Sequence, residues 1–400
     1  MRSNDFTANM PGRLVTIDSA GHTAFEPDPL PPQIEWDASL ARLIERAAGS
    51  LRLLDGRARS LENPYLLIRP LLSKEAVASN RIEGTTATIG DVLRYEAGDR
   101  EAGDPDEIRE VVNYLNALQI GLKRPQERPL SWGFFNELHR LLLSSVRGEE
   151  RNPGRPRQIQ VVIGPPGGSG RDRIESARFV PPPPTALPGL LGDFEHWLAS
   201  DDGNPALVRL ALMHYQFETI HPYEDGNGRL GRLLITLLMQ EWGMLSQPVL
   251  YLSEYLERNK PEYIDRLRAV SQQGQWRPWI EFFLSAVEHQ ATEAYNIVSA
   301  LLHVHDEWQK QYKAGRPLAY LLAVLDQLFV RTYISPAGIA ADLGVQTVQI
   351  QRAINKLVDD GILLEVTGKQ RNRIYASPLL LAILNGQKNA KDSESIDQSE

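Results

Sequence analysis

HPYEDGNGRLGR, residues 221–232, sets a histidine, two acids, glycine and asparagine turn-formers and two arginines directly before the helical pattern RLGRLLITLLMQ. Arginines at the start of a helix lie at the positive end of the peptide dipole, where a cation is disfavoured. A bound anion resolves the conflict. Gly226 and Gly228 allow backbone angles closed to other residues, so the loop can turn successive N–H groups inward. Such a nest, continued by the unpaired N–H groups of the following helix, is an anion receptacle. Arg229 and Arg232 are three apart and share one face of the first turn. These features specify a polyanion, most simply the di- or triphosphate of a nucleotide. Asp225 would repel it unless a divalent cation lay between them, and Mg²⁺ is the usual bridge. His221, just upstream, has the titration range of a general base toward an attacking hydroxyl.

Around this stretch, the chain of 400 residues has room for two or three domains with proper cores. A formal charge of -8 argues against a general nucleic-acid or membrane coat. The absence of cysteine excludes disulfides, thiolate metal sites and a cysteine nucleophile. MRSNDFTANMPGRLV has no apolar stretch of signal-peptide length, and the most apolar run, LLITLLMQEWGMLSQPVLYL, is interrupted by Gln240, Glu241 and Gln247. The expectation is a cytoplasmic protein with no membrane partner.

The fold class expected is mainly α, with a helical core, a β-hairpin flap and a C-terminal winged-helix domain. Residues 1–35 are Pro-rich and aperiodic and read as an extended arm. Residues 36–125 carry helical spacing throughout, including a helix over about 64–84. A core follows over 126–290. Within it, RQIQVVIG and ARFVPPPP flank a glycine-rich tip and predict a hairpin at 155–184. Residues 291–315 continue as a connecting helix, and GRP at 315–317 marks a boundary. Over 316–385 a short helix, a turn at Gly344, a longer helix and a hairpin follow in winged-helix order. Residues 386–400 are polar and read as disordered.

HPYEDGNGRLGR closely resembles the signature of the Fic (filamentation induced by cAMP) family, His-Pro-Phe-x-Asp/Glu-Gly-Asn-Gly-Arg-x-x-Arg, with Tyr223 in place of phenylalanine. Such enzymes transfer AMP from ATP to a hydroxyl of a target protein and release pyrophosphate. The resemblance implies His221 as general base, Asp225 as Mg²⁺ ligand, and Gly226, Asn227 and Gly228 as the phosphate cradle. It likewise implies Arg229 and Arg232 as phosphate clamps, with Arg232 reaching the γ-phosphate. A relative that works as a kinase carries lysine where Gly228 stands, so this chain is expected to transfer a nucleotide.

SNRIEG, residues 79–84, ends a predicted helix. Glu83 falls in its last turn, where the dipole disfavours an acid, and Ser79 lies one turn earlier on the same face. Pairing this acid with the arginines at the other helix's positive end would relieve both misplacements. The stretch resembles the family's inhibitory motif, Ser/Thr-x-x-x-Glu-Gly/Asn. That resemblance implies Glu83 holding Arg232 and keeping the γ-phosphate of ATP from its productive orientation.

VVIG, Val161, Val162, Ile163 and Gly164, resembles with ARFVPPPP the family's flap over the nucleotide. Its edge could pair with a target segment and align a Ser, Thr or Tyr hydroxyl. The GGSG tip has no Gly-Lys-Ser/Thr after it and no strand-to-helix setting, and reads as a flexible hairpin tip. In PEYIDRLRAVSQQGQWRPW, Tyr263 stands where the family's adenosine-pocket helix would contact base or ribose, although Ile264 replaces the second tyrosine of many relatives. A core role for Tyr263 remains equally open. His303 and His305, two apart on a helix, make a poor chelate. His139 and His214 sit in apolar patterns as core residues. VQTVQIQRAINKLVDDG is a possible recognition helix with Gln346, Gln349, Gln351 and Arg352, and TGKQRNR a possible basic wing. A DNA-binding regulator with a nucleotide-sensing site is therefore the competing reading, alongside AMP removal or transfer of another nucleotide. ATP, Mg²⁺ and a target protein are the expected companions, with a homodimer and DNA left open.

Overall fold

The computed structural model describes residues 3–59, 65–125, 127–164, 174–314 and 319–386. The GGSG tip, the GRP boundary and the tail beyond 386 lie outside these. The described chain is mainly helical.

The N-terminal segment departs from the extended arm expected of it. Strands β1 (Gly12–Thr16) and β2 (Thr23–Pro27) form an antiparallel hairpin with Leu14 opposite Phe25. Its turn is closed by Asp18, whose carboxylate accepts from the N–H groups of Ala20 and His22. Phe25 is fully buried and lies against Phe6 and Phe179. Prolines on either side hide this short alternation.

Helices α1 (Ala38–Arg59), α2 (Tyr65–Ile82), α3 (Ile89–Glu96), α4 (Pro105–Leu122) and α5 (Trp132–Leu142) come next. Their limits follow local chemistry. Thr88 and Asp91 make a reciprocal capping box at the start of α3, and Asp104 caps α4 ahead of Pro105. Then follow α6 (Leu187–Ala199), α7 (Ala206–Ile220), α8 (Asn227–Glu241), α9 (Ser253–Arg258), α10 (Lys260–Gln273) and the long α11 (Trp276–Lys313). Nearly every residue of α7 and α8 is buried, so these two helices form the centre, packed on each other. The other helices wrap them: α4 and α5 contact α8, α2 crosses α4, α8 and α9, and α1 lies along α11.

Between α5 and α6 the described residues of the expected hairpin pair through one antiparallel bridge, Ile163 to Phe179. Ile163 donates to the carbonyl of Phe179, and Arg178 and Phe179 donate back to Ile163. Pro165, Pro166 and the run Pro181–Pro184 have no N–H to extend the ladder.

After α11 come α12 (Leu321–Arg331), β3 (Tyr333–Ile334), α13 (Pro336–Leu343), α14 (Thr347–Asp359), β4 (Leu364–Glu365), β5 (Tyr375–Ala376) and α15 (Pro378–Leu384). The strands form an antiparallel sheet in the order β3-β5-β4. Gly344 closes α13 in the left-handed conformation. Helix α12 packs against α2.

Candidate active site

The signature loop joins the two central helices. Helix α7 ends at Ile220, and His221 takes a left-handed conformation with φ 50° while its N–H still donates to Phe217. Gly226, at φ 75°, turns the chain into α8. The Asn227 side chain spans the loop, accepting from Tyr223 N–H at 2.9 Å and donating to Tyr223 O at 2.8 Å. Asn227 thus shapes the cradle by crossing it. Tyr223 is fully buried, stacks on His139 with ring centres 3.8 Å apart, and donates to Asn136.

His139 is more than the core residue its pattern suggests. Its Nδ1 accepts from Gly154 N–H at 2.8 Å, which leaves the proton on Nε2 to be donated to Asp225 O, also at 2.8 Å. Burial pushes its pKa down to about 4, so the ring stays neutral and keeps this pattern. Arg157, another residue not singled out in the sequence, donates to the carbonyls of His221, Ile220 and Pro182 and ties the loop to the proline run. Burial lowers its pKa to about 10.

His221, Gly228, Arg232 and Glu83 line one cavity of about 550 Å³. Ile163, Gly164, Arg178 and Phe179 supply its flap wall, and Tyr263, Ile264 and Leu267 another side. His221 Nδ1 lies 3.2 Å from Glu218 O and has only a carbonyl to meet, so it carries the proton and Nε2 remains an acceptor. Burial, with help from the Arg157 charge, pushes the His221 pKa down to about 4. The imidazole is therefore neutral across the physiological range.

Arg232 is almost fully buried and completely engaged with the end of α2. Its Nε donates to Ser79 Oγ at 2.9 Å, and its Nη2 to Ser79 O at 2.9 Å and Glu83 Oε1 at 2.6 Å. Burial works against the charge of Glu83, but the guanidinium of Arg232 holds its pKa below the usual carboxylate value. The same pairing raises Arg232 against its own desolvation. A Cβ at Gly228 would stand 2.3 Å from Glu83 Oε1, so this glycine is also what admits the carboxylate.

The remaining sequence candidates separate. Arg229 does not line the cavity; it is buried against Glu110 at 3.2 Å, with Asp225 at 3.7 Å on its other nitrogen. Val161 and Val162 also fall outside the cavity, and Val162 packs beside Ala24, Ala177 and Val180. Asp225 keeps 38% of its side chain exposed and accepts from Gly226 N–H at 2.6 Å. Tyr263 is buried, its hydroxyl 2.8 Å from His214 Nε2, and also lines the cavity. His303 and His305 point to separate acids, Glu307 and Asp326. Glu218, which sequence reasoning passed over, also lines the cavity; burial raises its pKa to about 7. Its one signal is proximity, a turn before His221 on a helix otherwise buried.

Among the described residues no group of three or more histidines and acids forms a metal cage, and no helix is long and apolar enough to cross a membrane.

Comparison with known proteins places this site. Residues 41–123 match the model of the Fic/DOC family N-terminal region, and residues 129–239 that of the Fic/DOC family. A probable protein adenylyltransferase of Aquifex aeolicus is 36% identical over 95 residues, covering 24% of this chain and 27% of that protein. The protein adenylyltransferase Fic of Drosophila grimshawi is 30% identical over 218 residues, or 52% of this chain and 39% of that one. The chain thus spans well under half the length of these curated relatives. Among solved structures, a Fic family protein from Desulfovibrio desulfuricans G20 superposes with a TM-score of 0.56 at 22% identity, over 87% of this chain and 98% of its own. Fic-1 from C. elegans does so at 0.51 and 22%, over 66% and 75%. At such identity the two structures speak for the fold. Residues 41–123 and 129–239 therefore carry a Fic/DOC-type N-terminal region and a Fic/DOC-type domain.

Proposed function

We propose that this protein is an adenylyltransferase that moves AMP from ATP to a hydroxyl side chain of a target protein, and that it is held inactive by its own α2. The observation that carries the reading is one cavity shared by a histidine whose Nε2 has no partner among the described residues and an arginine already bound to an internal carboxylate. The names of the matched relatives support the same chemistry.

In this reading, His221 Nε2 takes the proton of a Ser, Thr or Tyr hydroxyl. The freed oxygen bonds to the α-phosphorus, the bond to the bridging oxygen breaks, and pyrophosphate leaves. Arg232 is the residue to receive the γ-phosphate, once Glu83 lets it go. Gly228 and the first N–H groups of α8 supply neutral donors to the other phosphates. Arg229 acts mainly from behind, adding positive charge under the loop while Glu110 anchors it. Asp225 suits Mg²⁺: a single partly exposed carboxylate, completed by phosphate oxygens and water, is the ordinary set for this ion. When bound, Mg²⁺ neutralises phosphate charge. Residues 319–386 we read as a winged helix appended to the catalytic part.

The test is incubation of the purified full chain with ATP labelled at the α-phosphate, Mg²⁺ and lysate. Glu83→Gly is expected to label protein strongly, the native chain weakly, and Glu83→Gly combined with His221→Ala not at all. Absence of label with Glu83→Gly would sink the reading.

A further inference from the structure

The end of α2 is held by two cations, and only one of them touches Glu83. Ile82 is the last residue of α2, and its carbonyl belongs to the orphan acceptors at a helix's negative end. Lys260 donates its ammonium to that carbonyl at 2.5 Å. Lys260 in turn is the first residue of α10, ahead of Pro261, where the helix dipole disfavours a lysine. Helix α10 therefore gains nothing electrostatically from it. Among the described residues Lys260 makes no ion pair, whereas its neighbour Arg258 is paired with Glu254 and Glu293. The carbonyl of Ile82 is the contact that accounts for its placement.

We propose that Lys260 is a positioning residue for the closed state: it fixes the last turn of α2 and, through that turn, keeps Glu83 on Arg232. This rests on the inhibited reading given above. The geometry makes the coupling short. Arg232 pins Ser79 by its hydroxyl and carbonyl and Glu83 by its carboxylate, while Lys260 pins the backbone between them and the exit at Gly84. Gly84, at φ 102° with open space around its Cα, sets no steric limit on that exit. Without the ammonium, the turn keeps the Arg232 bonds and its own N–H bonds from Glu83 and Thr85 to Asn80 and from Gly84 to Arg81, but nothing among the described residues then holds the Ile82 carbonyl. Ile82, Glu83 and Lys260 all line the cavity, so loosening this turn opens the space that a triphosphate needs.

The alternative role for a cavity lysine is direct contact with the nucleotide, and the two roles predict opposite signs. Full-length Lys260→Met, Lys260→Arg, Glu83→Gly and the Lys260→Met/Glu83→Gly double variant would be compared with the native chain for Mg-ATP affinity by calorimetry and for label transfer, each after a melting curve confirms folding. Loss of one charge-assisted bond from the closed state predicts a gain in both readouts on the order of tenfold for Lys260→Met. Lys260→Arg should stay near the native chain, and the double variant should match Glu83→Gly. If Lys260→Met is unchanged or weaker while Glu83→Gly gains, or if the double variant departs from Glu83→Gly, the latch is overturned and the inhibited enzyme stands. If neither single variant gains, both ideas fall together.

Discussion

His221 occupies a backbone conformation that costs a side-chain-bearing residue roughly 1–2 kcal/mol, and the surrounding loop holds it there. Its N–H completes the last turn of α7, its carbonyl takes Arg157, and its ring turns toward the cavity. Because burial disfavours the imidazolium, the ring is ready to accept a proton at any pH well above 4. An unperturbed histidine, near pKa 6.5, would lose that ability through mild acid. The kcat/KM of the Glu83→Gly variant should therefore stay level from about pH 8 to about pH 5.5 and fall only below that. Removing Glu83 also removes a charge that pulls the His221 pKa upward, so the substitution moves the fall further toward acid. A bend near pH 6.5 that persists when Glu218, whose pKa is about 7 in the same cavity, is replaced by Gln would show that the ring is solvated. His221, Gly228, Arg232 and Glu83 were legible from local misplacements of charge and from turn chemistry. Arg157, His139 and Glu218 were not, because their roles consist of contacts to backbone atoms distant in sequence or of burial alone.

At the level of elements, the site depends on how closely α4, α7 and α8 approach. Gly231 on α8 faces α7 so tightly that a Cβ would lie 2.4 Å from Glu218 Oε1 and 3.0 Å from Phe217. Gly231→Ala must displace the Glu218 carboxylate and the Phe217 ring or part the two central helices, and is expected to cost about 1–3 kcal/mol in urea unfolding. A cost below about 0.5 kcal/mol would mean that Glu218 can swing away freely. The Glu110–Arg229 pair joins α4 to α8 out of water, both side chains being nearly inaccessible. Glu110→Ala leaves the guanidinium with only the distant Asp225 carboxylate and should destabilise by about 3 kcal/mol or somewhat more. Native stability in that variant would show that Arg229 finds another anion. The helices themselves were readable from three-and-four spacing and from caps such as Thr88 and Asp104. Among the described residues the flap keeps the antiparallel pairing of Ile163 with Phe179, and the run Pro181–Pro184 supplies no donors to lengthen it.

Across the whole molecule, the C-terminal module is tied to the helix whose end lines the cavity. Helix α12 lies on α2, Lys74 of α2 donates to the carbonyl of Leu384, and Lys369 reaches Asp99 and Glu101 beyond α3. Asp99 is nearly inaccessible; burial opposes its charge, yet Lys369 and Arg94 hold its pKa below the usual value. Its contribution is present above the unfolded pKa of 3.8 and is lost as pH falls through the lower folded value. Asp99→Asn should loosen the module at neutral pH, read as faster hydrogen exchange in residues 364–376, with α7 and α8 unaffected. Unchanged exchange there would mean that the apolar contacts of α12 suffice alone.

Spacing, caps and charge misplacement in the chain were enough to determine that it is mainly helical, that residues 221–232 form a turn leading into a helix, and that Glu83 and Arg232 are each out of place. These are short-range properties, set within a few residues by the backbone and its dipole. Only the tertiary structure decided that Arg229 turns inward to Glu110 while Arg232 faces the cavity, that His139 and Arg157 brace the loop, and that residues 12–27 pair as a hairpin beside the flap. Those outcomes depend on which buried polar group finds a partner when distant helices meet, and burial is a property of the assembled core.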